Sequence, residues 1–145
     1  MPVDFLELIA RAKESEDFNL LCGAIPYAEF LGLTVEKLDG GPVTRLRYDD
    51  KLIGNALLPA LHGGVIGALM EHAAIIQLMW EMETAHLPKI IDISVDFLRS
   101  AGPRDTFAKG VVTKHGRRVA NVRVEAWQER KSKPIAHAHA HFLVA

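Results

Sequence analysis

The feature that most narrows the possible folds of this chain is an apolar run over residues 56–80, in which Glu71 is the single carboxylate between Leu61 and Trp80. About 20 apolar residues are enough to cross a bilayer. Pro59, His62, Glu71 and His72 interrupt this run, no second one follows it, and a carboxylate at the middle of a span is costly in lipid. The run therefore reads as the buried helix of a water-soluble domain, beginning near His62 and ending about Thr84. With 145 residues, 49% hydrophobic and 24% charged, the chain suits one domain over 1–145 with an ordinary core.

The remaining sequence supplies what covers that helix. Leu6, Ile9 and Ala10 recur at helical spacing, and a second apolar group over 18–25 stops at Pro26, so residues 1–25 read as a helical lead-in to a core over 26–145. Extended segments follow at 33–38 and 43–48 around a Gly40-Gly41-Pro42 turn, and 49–60 reads as a loop. Beyond Pro88 the period becomes two. Ile91, Ile93, Val95 and Phe97 alternate with Asp92, Ser94 and Asp96, which predicts a strand with one buried face. Gly102-Pro103, His115-Gly116 and residues 131–134 punctuate further strands near 105–114, 118–129 and 135–144. Ala120, Val122, Val124 and Ala126 form one inward set; Ala136, Ala138, Ala140 and Phe142 form another, opposite His137, His139 and His141. Trp127 and Leu143 fall on outward faces, which suggests a contact between copies. The expected architecture is α+β, a curved antiparallel sheet of about five strands wrapped around that one long helix.

Charge excludes some partners. Lys and Arg total 17 against 18 Asp and Glu, so no net field advertises nucleic acid or an anionic membrane. The N-terminal segment places acidic residues early without a basic lead into an apolar run, unlike a signal peptide. Cys22 is the single cysteine and forms no internal disulfide. A reducing cytoplasmic setting is the expectation, with Cys22 a small apolar residue.

Glu71 carries the chemistry. Either it is a core carboxylate capped by His72, an arginine or a backbone group, or it is a general base or nucleophile in an apolar cleft. Gly63 and Gly64 fall at the helix start, where unpaired N–H groups and the positive dipole end can hold an oxyanion, or else form a tight turn. His62 flanks that start as a contact or orienting group. Asn55 either donates its amide to a carbonyl or stabilises a turn. His137, His139 and His141 stand ~6.5–7 Å apart along one strand face, too far to converge on one metal ion without bending, so no metal site is expected.

Gly54-Asn55, six intervening residues, His62-Gly63-Gly64 and an acidic residue eight positions after the first glycine together resemble the hotdog thioesterases. The pattern is similar to the phenylacetate-degradation branch of the 4-hydroxybenzoyl-CoA thioesterase superfamily, from about Pro26 to the C-terminus. That resemblance implies the hotdog fold and hydrolysis of an acyl- or aryl-CoA thioester to a carboxylic acid and free CoA. No metal or separate cofactor is implied, because coenzyme A is part of the substrate. By the same resemblance Asn55 and the Gly63 N–H polarise the carbonyl while Glu71 activates water or attacks directly. Glutamate stands here where the branch usually has aspartate, and Ile90 falls where a hydroxyl residue often positions water. Residues 92–101, with Phe97, Arg99 and Ser100, look like the family's strand and the loop entering its CoA groove, and His115-Gly116-Arg117-Arg118 resembles a turn lining the CoA entrance. The resemblance also implies a homodimer, often paired into a homotetramer, with Gly63 of one chain facing Glu71 of the other. A hotdog dehydratase, for which residues 59–62 offer a proline-histidine loop, and a non-catalytic acyl-CoA sensor are the alternatives.

Overall fold

A computed structural model describes residues 4–38, 40–82 and 86–145. Helix α1 (Phe5–Ser15) opens where the Asp4 carboxylate accepts from the Glu7 N–H at 3.2 Å, satisfying one free first-turn donor. Ile9 and Ala12 bury its inner side. α2 (Asn19–Gly23) contributes Leu21 and Cys22 to the core, and burial pushes the Cys22 thiol up to about 12, so it is an inert thiol. Pro26 does not close the helical lead-in as expected but starts α3 (Pro26–Leu31). At the first helical position its missing N–H has no intrahelical acceptor to lose. Gly32, at φ 74°, ends that helix.

Strands β1 (Leu33–Leu38) and β2 (Gly41–Leu46) form the expected hairpin, although Gly41 and Pro42 already belong to β2. The segment 49–60, expected to be loop, holds a single 3-10 turn at Asp50–Leu52 and a two-stranded ribbon of β3 (Ile53–Asn55) and β4 (Ala60–Leu61). Gly54 is required there: a Cβ on it would lie 2.6 Å from the His62 Cα. Helix α4 (Gly63–Glu81) follows and closes at Met82, whose backbone is extended. The expected end at Thr84 lies outside the described residues. Four strands succeed it: β5 (Lys89–Phe97), β6 (Thr106–His115), β7 (Val119–Trp127) and β8 (Ala136–Leu143). All pairings in the main sheet are antiparallel, in the order β1-β2-β6-β7-β8-β5, giving six strands where about five were expected.

Small residues let the helix onto this sheet. A Cβ on Gly110 of β6 would sit 3.3 Å from the Ala74 Cα and 3.1 Å from the Val122 Cγ1, so only glycine permits the closest approach. The alanines and valines predicted to face inward on β7 and β8 are all buried, as is Phe142. Leu69, Met70, Ile76, Leu78 and Met79 of α4 are fully enclosed, each burial stabilising by about 1.5–3 kcal/mol. Although α4 is long and apolar enough to cross a bilayer, 61% of that stretch is buried within the domain. Its apolarity serves the core. The whole is the α+β hotdog arrangement, a curved sheet around one long helix.

Two expectations about faces change. The helix lies mainly against β6, β2 and β7 and barely reaches β5, so Ile91 and Phe97 are exposed and only Ile93 and Val95 are half-buried. β5 is a sheet edge. Trp127 is buried instead of outward, because Phe107 stacks on it at 6.1 Å and Lys131 lies 5.5 Å over its ring, whereas Leu143 is exposed. Where β6 begins, Asp105 accepts from the Tyr48 N–H at 2.7 Å and pairs with Arg45, and these contacts hold its carboxyl below the usual value.

Candidate active site

The start of helix α4 is organised by its own cap. The His62 ring accepts from the Gly64 N–H through Nδ1 at 2.8 Å, which fixes the ring and uses that donor. The Gly63 N–H, one of the free first-turn donors of the helix, has no acceptor among the described residues. Gly64, expected in the site, thus lends open surface and not a donor. The Phe97 ring roofs Gly63: a Cβ there would come 3.3 Å from the Phe97 Cζ. The β3–β4 ribbon pairs Ile53 with Leu61 and presses Gly54 against His62, so Asn55 flanks the helix start. Its Oδ1 accepts from the Leu57 and Leu58 N–H groups at 3.0 and 3.4 Å. The carbonyl half of Asn55 shapes its loop, while its amide nitrogen has no acceptor among the described residues. Both roles considered for Asn55 are therefore compatible.

Two turns along, Glu71 is half-buried and makes no hydrogen bond or ion pair among the described residues. It stands on a stripe of α4 left uncovered by the sheet, together with Gly63, Gly64, Gly67 and Ala68. The neighbouring His72 does not cap it; that ring is buried, with Nδ1 2.7 Å from the Ala68 carbonyl and its face 5.8 Å from Tyr27. A structural ion pair or core cap for Glu71 thus has no partner among the described residues. Eight residues at 1.5 Å each separate Gly63 and Glu71 by roughly 12 Å along the axis. One chain presents the donor and the carboxylate on the same stripe but does not bring them to one atom.

The predicted basic residues divide into two patches. Arg99 and Ser100 line a cavity of about 470 Å³ with Arg104, Arg130, Lys133, Leu58, Pro59 and Glu129, whose carboxylate pairs with Arg104. His115 ends β6, and Gly116, Arg117 and Arg118 form the β6–β7 turn, at the far end of a ten-residue strand, about 30 Å from the β6 start near Arg104. Arg104, Arg130 and Lys133 escape sequence reasoning because they sit in two turns whose shared position at one sheet end is a property of topology. Tyr27 and Phe30 escape it as well, since α3 was not foreseen. A cavity of about 500 Å³ opens between them and His62, Gly64 and Val65. On β8, His141 pairs with Asp92 at 2.6 Å and His137 approaches Glu125 at 3.6 Å. No group of three or more His, Cys, Asp or Glu among the described residues is arranged to hold a metal.

The thioesterase superfamily model matches residues 58–135, which contain Gly63, Glu71 and β5 through β7. A protein of known structure from Chromobacterium violaceum is 39% identical; the match covers 94% of this chain and 96% of that one, with a TM-score of 0.75. A phenylacetic acid degradation-related protein from Ralstonia eutropha is 22% identical over 88% of this chain and 98% of its own, with a TM-score of 0.74. A Bacillus halodurans protein solved with CoA, 15% identical over 70% of each chain, shares the fold at a TM-score of 0.63. No curated protein matches the chain.

Proposed function

This chain belongs to the thioesterase superfamily, and from that premise we propose that it hydrolyses an acyl- or aryl-CoA thioester to a carboxylic acid and free CoA. The observation that carries the reading is the uncommitted Glu71 carboxylate on the open stripe of a helix whose first N–H, at Gly63, is also uncommitted. The thioester oxygen sits against the Gly63 N–H with the Asn55 amide as second donor, where the helix dipole favours developing negative charge. Glu71 takes a proton from water as the water oxygen attacks the carbonyl carbon; collapse breaks the C–S bond and the thiolate leaves with the proton. Direct attack by Glu71 on the carbonyl carbon would break the C–S bond, expel the CoA thiolate and leave an acyl-glutamyl anhydride; water then opens it to the acid and the free Glu71 carboxylate, and the proton released passes to the thiolate. Ile90 offers no hydroxyl to hold water, so the first route relies on Glu71 for positioning.

The two groups meet at one carbonyl when a second copy supplies the carboxylate, and a homodimer is therefore part of the proposal, with pairing of dimers a further step. A cytoplasmic location and no cofactor beyond the CoA of the substrate also belong to it. A dehydratase would need His62 as its base, but that ring is engaged as the helix cap through Nδ1. The test is thiol release from short, long and aryl acyl-CoAs. Free CoA with the matching acid is the expected product; a new double bond with the thioester intact points to the dehydratase, and stable binding without release to a sensor.

For the CoA phosphates we propose the cavity of Arg99, Ser100, Arg104, Arg130 and Lys133, which Leu58 and Pro59 of the Asn55 loop also line and in which Glu129 engages Arg104. Arg99→Ala with Lys133→Ala is expected to raise KM severalfold, with kcat changed less, and added salt should mimic part of the loss. If Arg117→Ala with Arg118→Ala raises KM instead, the phosphates lie at the β6–β7 turn, which serves the thioester from the partner chain.

A further inference from the structure

The structure assigns Tyr27 and Phe30 of α3 as residues that select the acyl group, favouring a flat aromatic one over a linear chain of similar size; this rests on the hydrolase reading. Both belong to a helix outside the family-matched segment 58–135, so the superfamily model says nothing about them. On that six-residue helix Ala28 and Leu31 supply the core contacts, while Tyr27 and Phe30 stay 52% and 67% exposed. Their rings stack at 6.1 Å with 13° between planes, and the Lys51 ammonium sits 5.2 Å over Phe30. Two large rings held in a fixed orientation at the surface are poorly explained by folding alone.

Their position relates them to the chemistry. The cavity of about 500 Å³ beside them is lined further by Leu31, Leu52, Ile53 and Val65, and it reaches His62 and Gly64, the residues on either side of Gly63. Tyr27 also packs against the buried His72 ring of α4, which anchors the pair to that helix. An acyl group whose carbonyl oxygen meets the Gly63 N–H thus has an apolar receptacle adjoining the same helix end. The cationic cavity shares none of these lining residues, and its Arg99, Arg130 and Lys133 suit phosphates even with Arg104 paired to Glu129, whereas the Lys51 ammonium here already covers an aromatic face. Size agrees: a cavity of roughly 150 Å³ suffices for benzene. Aromatic rings meet other rings in offset or edge-on geometries that an alkyl chain cannot reproduce, and that difference gives the preference.

Phe30→Leu and Tyr27→Leu keep apolar bulk and remove one ring each. Each is expected to lower the ratio of kcat/KM for phenylacetyl-CoA over hexanoyl-CoA about three- to tenfold. Thiol release measures the ratio, and saturation-transfer NMR with phenylacetate and hexanoate measures acid binding without turnover. Thermal melting and the oligomeric state are recorded for every variant. A parental enzyme that hydrolyses both esters, with a ratio unmoved by either folded variant, overturns the inference and leaves the hydrolase reading standing. If the parent releases no thiol, the hydrolase reading fails. The pocket is then judged by NMR: phenylacetate signal that exceeds hexanoate and drops in Phe30→Leu sustains it, and equal signals overturn it. Loss of the oligomer in Phe30→Leu would make the pair a contact between copies and likewise overturn the assignment.

Discussion

Glu71→Gln is expected to lower thioester turnover about 10²- to 10⁴-fold, the range over which a positioned proton acceptor accelerates such reactions. At 1.36 kcal/mol per decade this corresponds to about 3–5 kcal/mol of transition-state stabilisation. The fold should hardly notice. Glu71 is half-buried and has no ion pair or hydrogen bond among the described residues, so the substitution breaks no native contact and stability should stay within about 0.5 kcal/mol. A core carboxylate would behave in the opposite way, with unfolding the main consequence of losing its partners. Kinetics and thermal melting on the same sample separate the two. Near-parental turnover by folded Glu71→Gln removes Glu71 from the mechanism. Glu71→Asp is a useful companion, since it keeps the charge and shortens the reach by one methylene; turnover between those of the parent and Glu71→Gln is expected.

The parts of the fold that the sequence revealed are those where a period is imposed by burial on one side. Ala120, Val122, Val124 and Ala126 alternate because α4 covers one face of β7, and that pattern needs no tertiary knowledge. Glu71 was visible for a related reason, being the one carboxylate in an apolar run. What stayed hidden was set by neighbours distant in sequence. Phe97 looks like the end of a buried face, yet the sheet order places β5 at an edge that the helix barely reaches. Trp127 alternates outward, yet Phe107 and Lys131 cover it. Pro26 was read as a stop because proline ends helices more visibly than it begins them. The short ribbon of β3 and β4 has too few residues for a period, and only the contact between Gly54 and His62 explains its glycine. In the site, the helix start and the carboxylate were legible as a motif, whereas the cations and aromatic rings around it depend on which loops the topology gathers.

Mixing two inactive chains, Glu71→Ala and Gly63→Val, is expected to restore turnover. The argument starts from length: Gly63 and Glu71 lie roughly 12 Å apart along α4, while an oxyanion donor and a base for one carbonyl must each come within hydrogen-bond reach of the reacting groups. A second helix running antiparallel places its middle beside the first one's start. Two features of the chain suit such a neighbour. The open stripe of α4 is Gly63, Gly64, Gly67 and Ala68 beside Glu71, small enough for close approach, and β5 is an edge strand with Ile91, Phe97 and Leu98 exposed. An unpaired apolar edge invites another strand. Under two-fold symmetry the same patch is used by both copies, so each dimer holds two equivalent sites. Gly63→Val is a suitable block because even a Cβ would press on Phe97 at 3.3 Å, and larger groups must displace that ring across the oxyanion position. In a heterodimer one site carries both lesions and the other carries none. Random re-pairing of equal amounts makes about half the dimers mixed, so about a quarter of parental turnover should return. The measurement is thiol release after reversible dissociation, with heterodimers verified by distinct mass tags and both parents confirmed folded. Verified heterodimers that remain inactive would show that the carboxylate and the oxyanion donor act within one chain, and the homodimeric site would have to be abandoned.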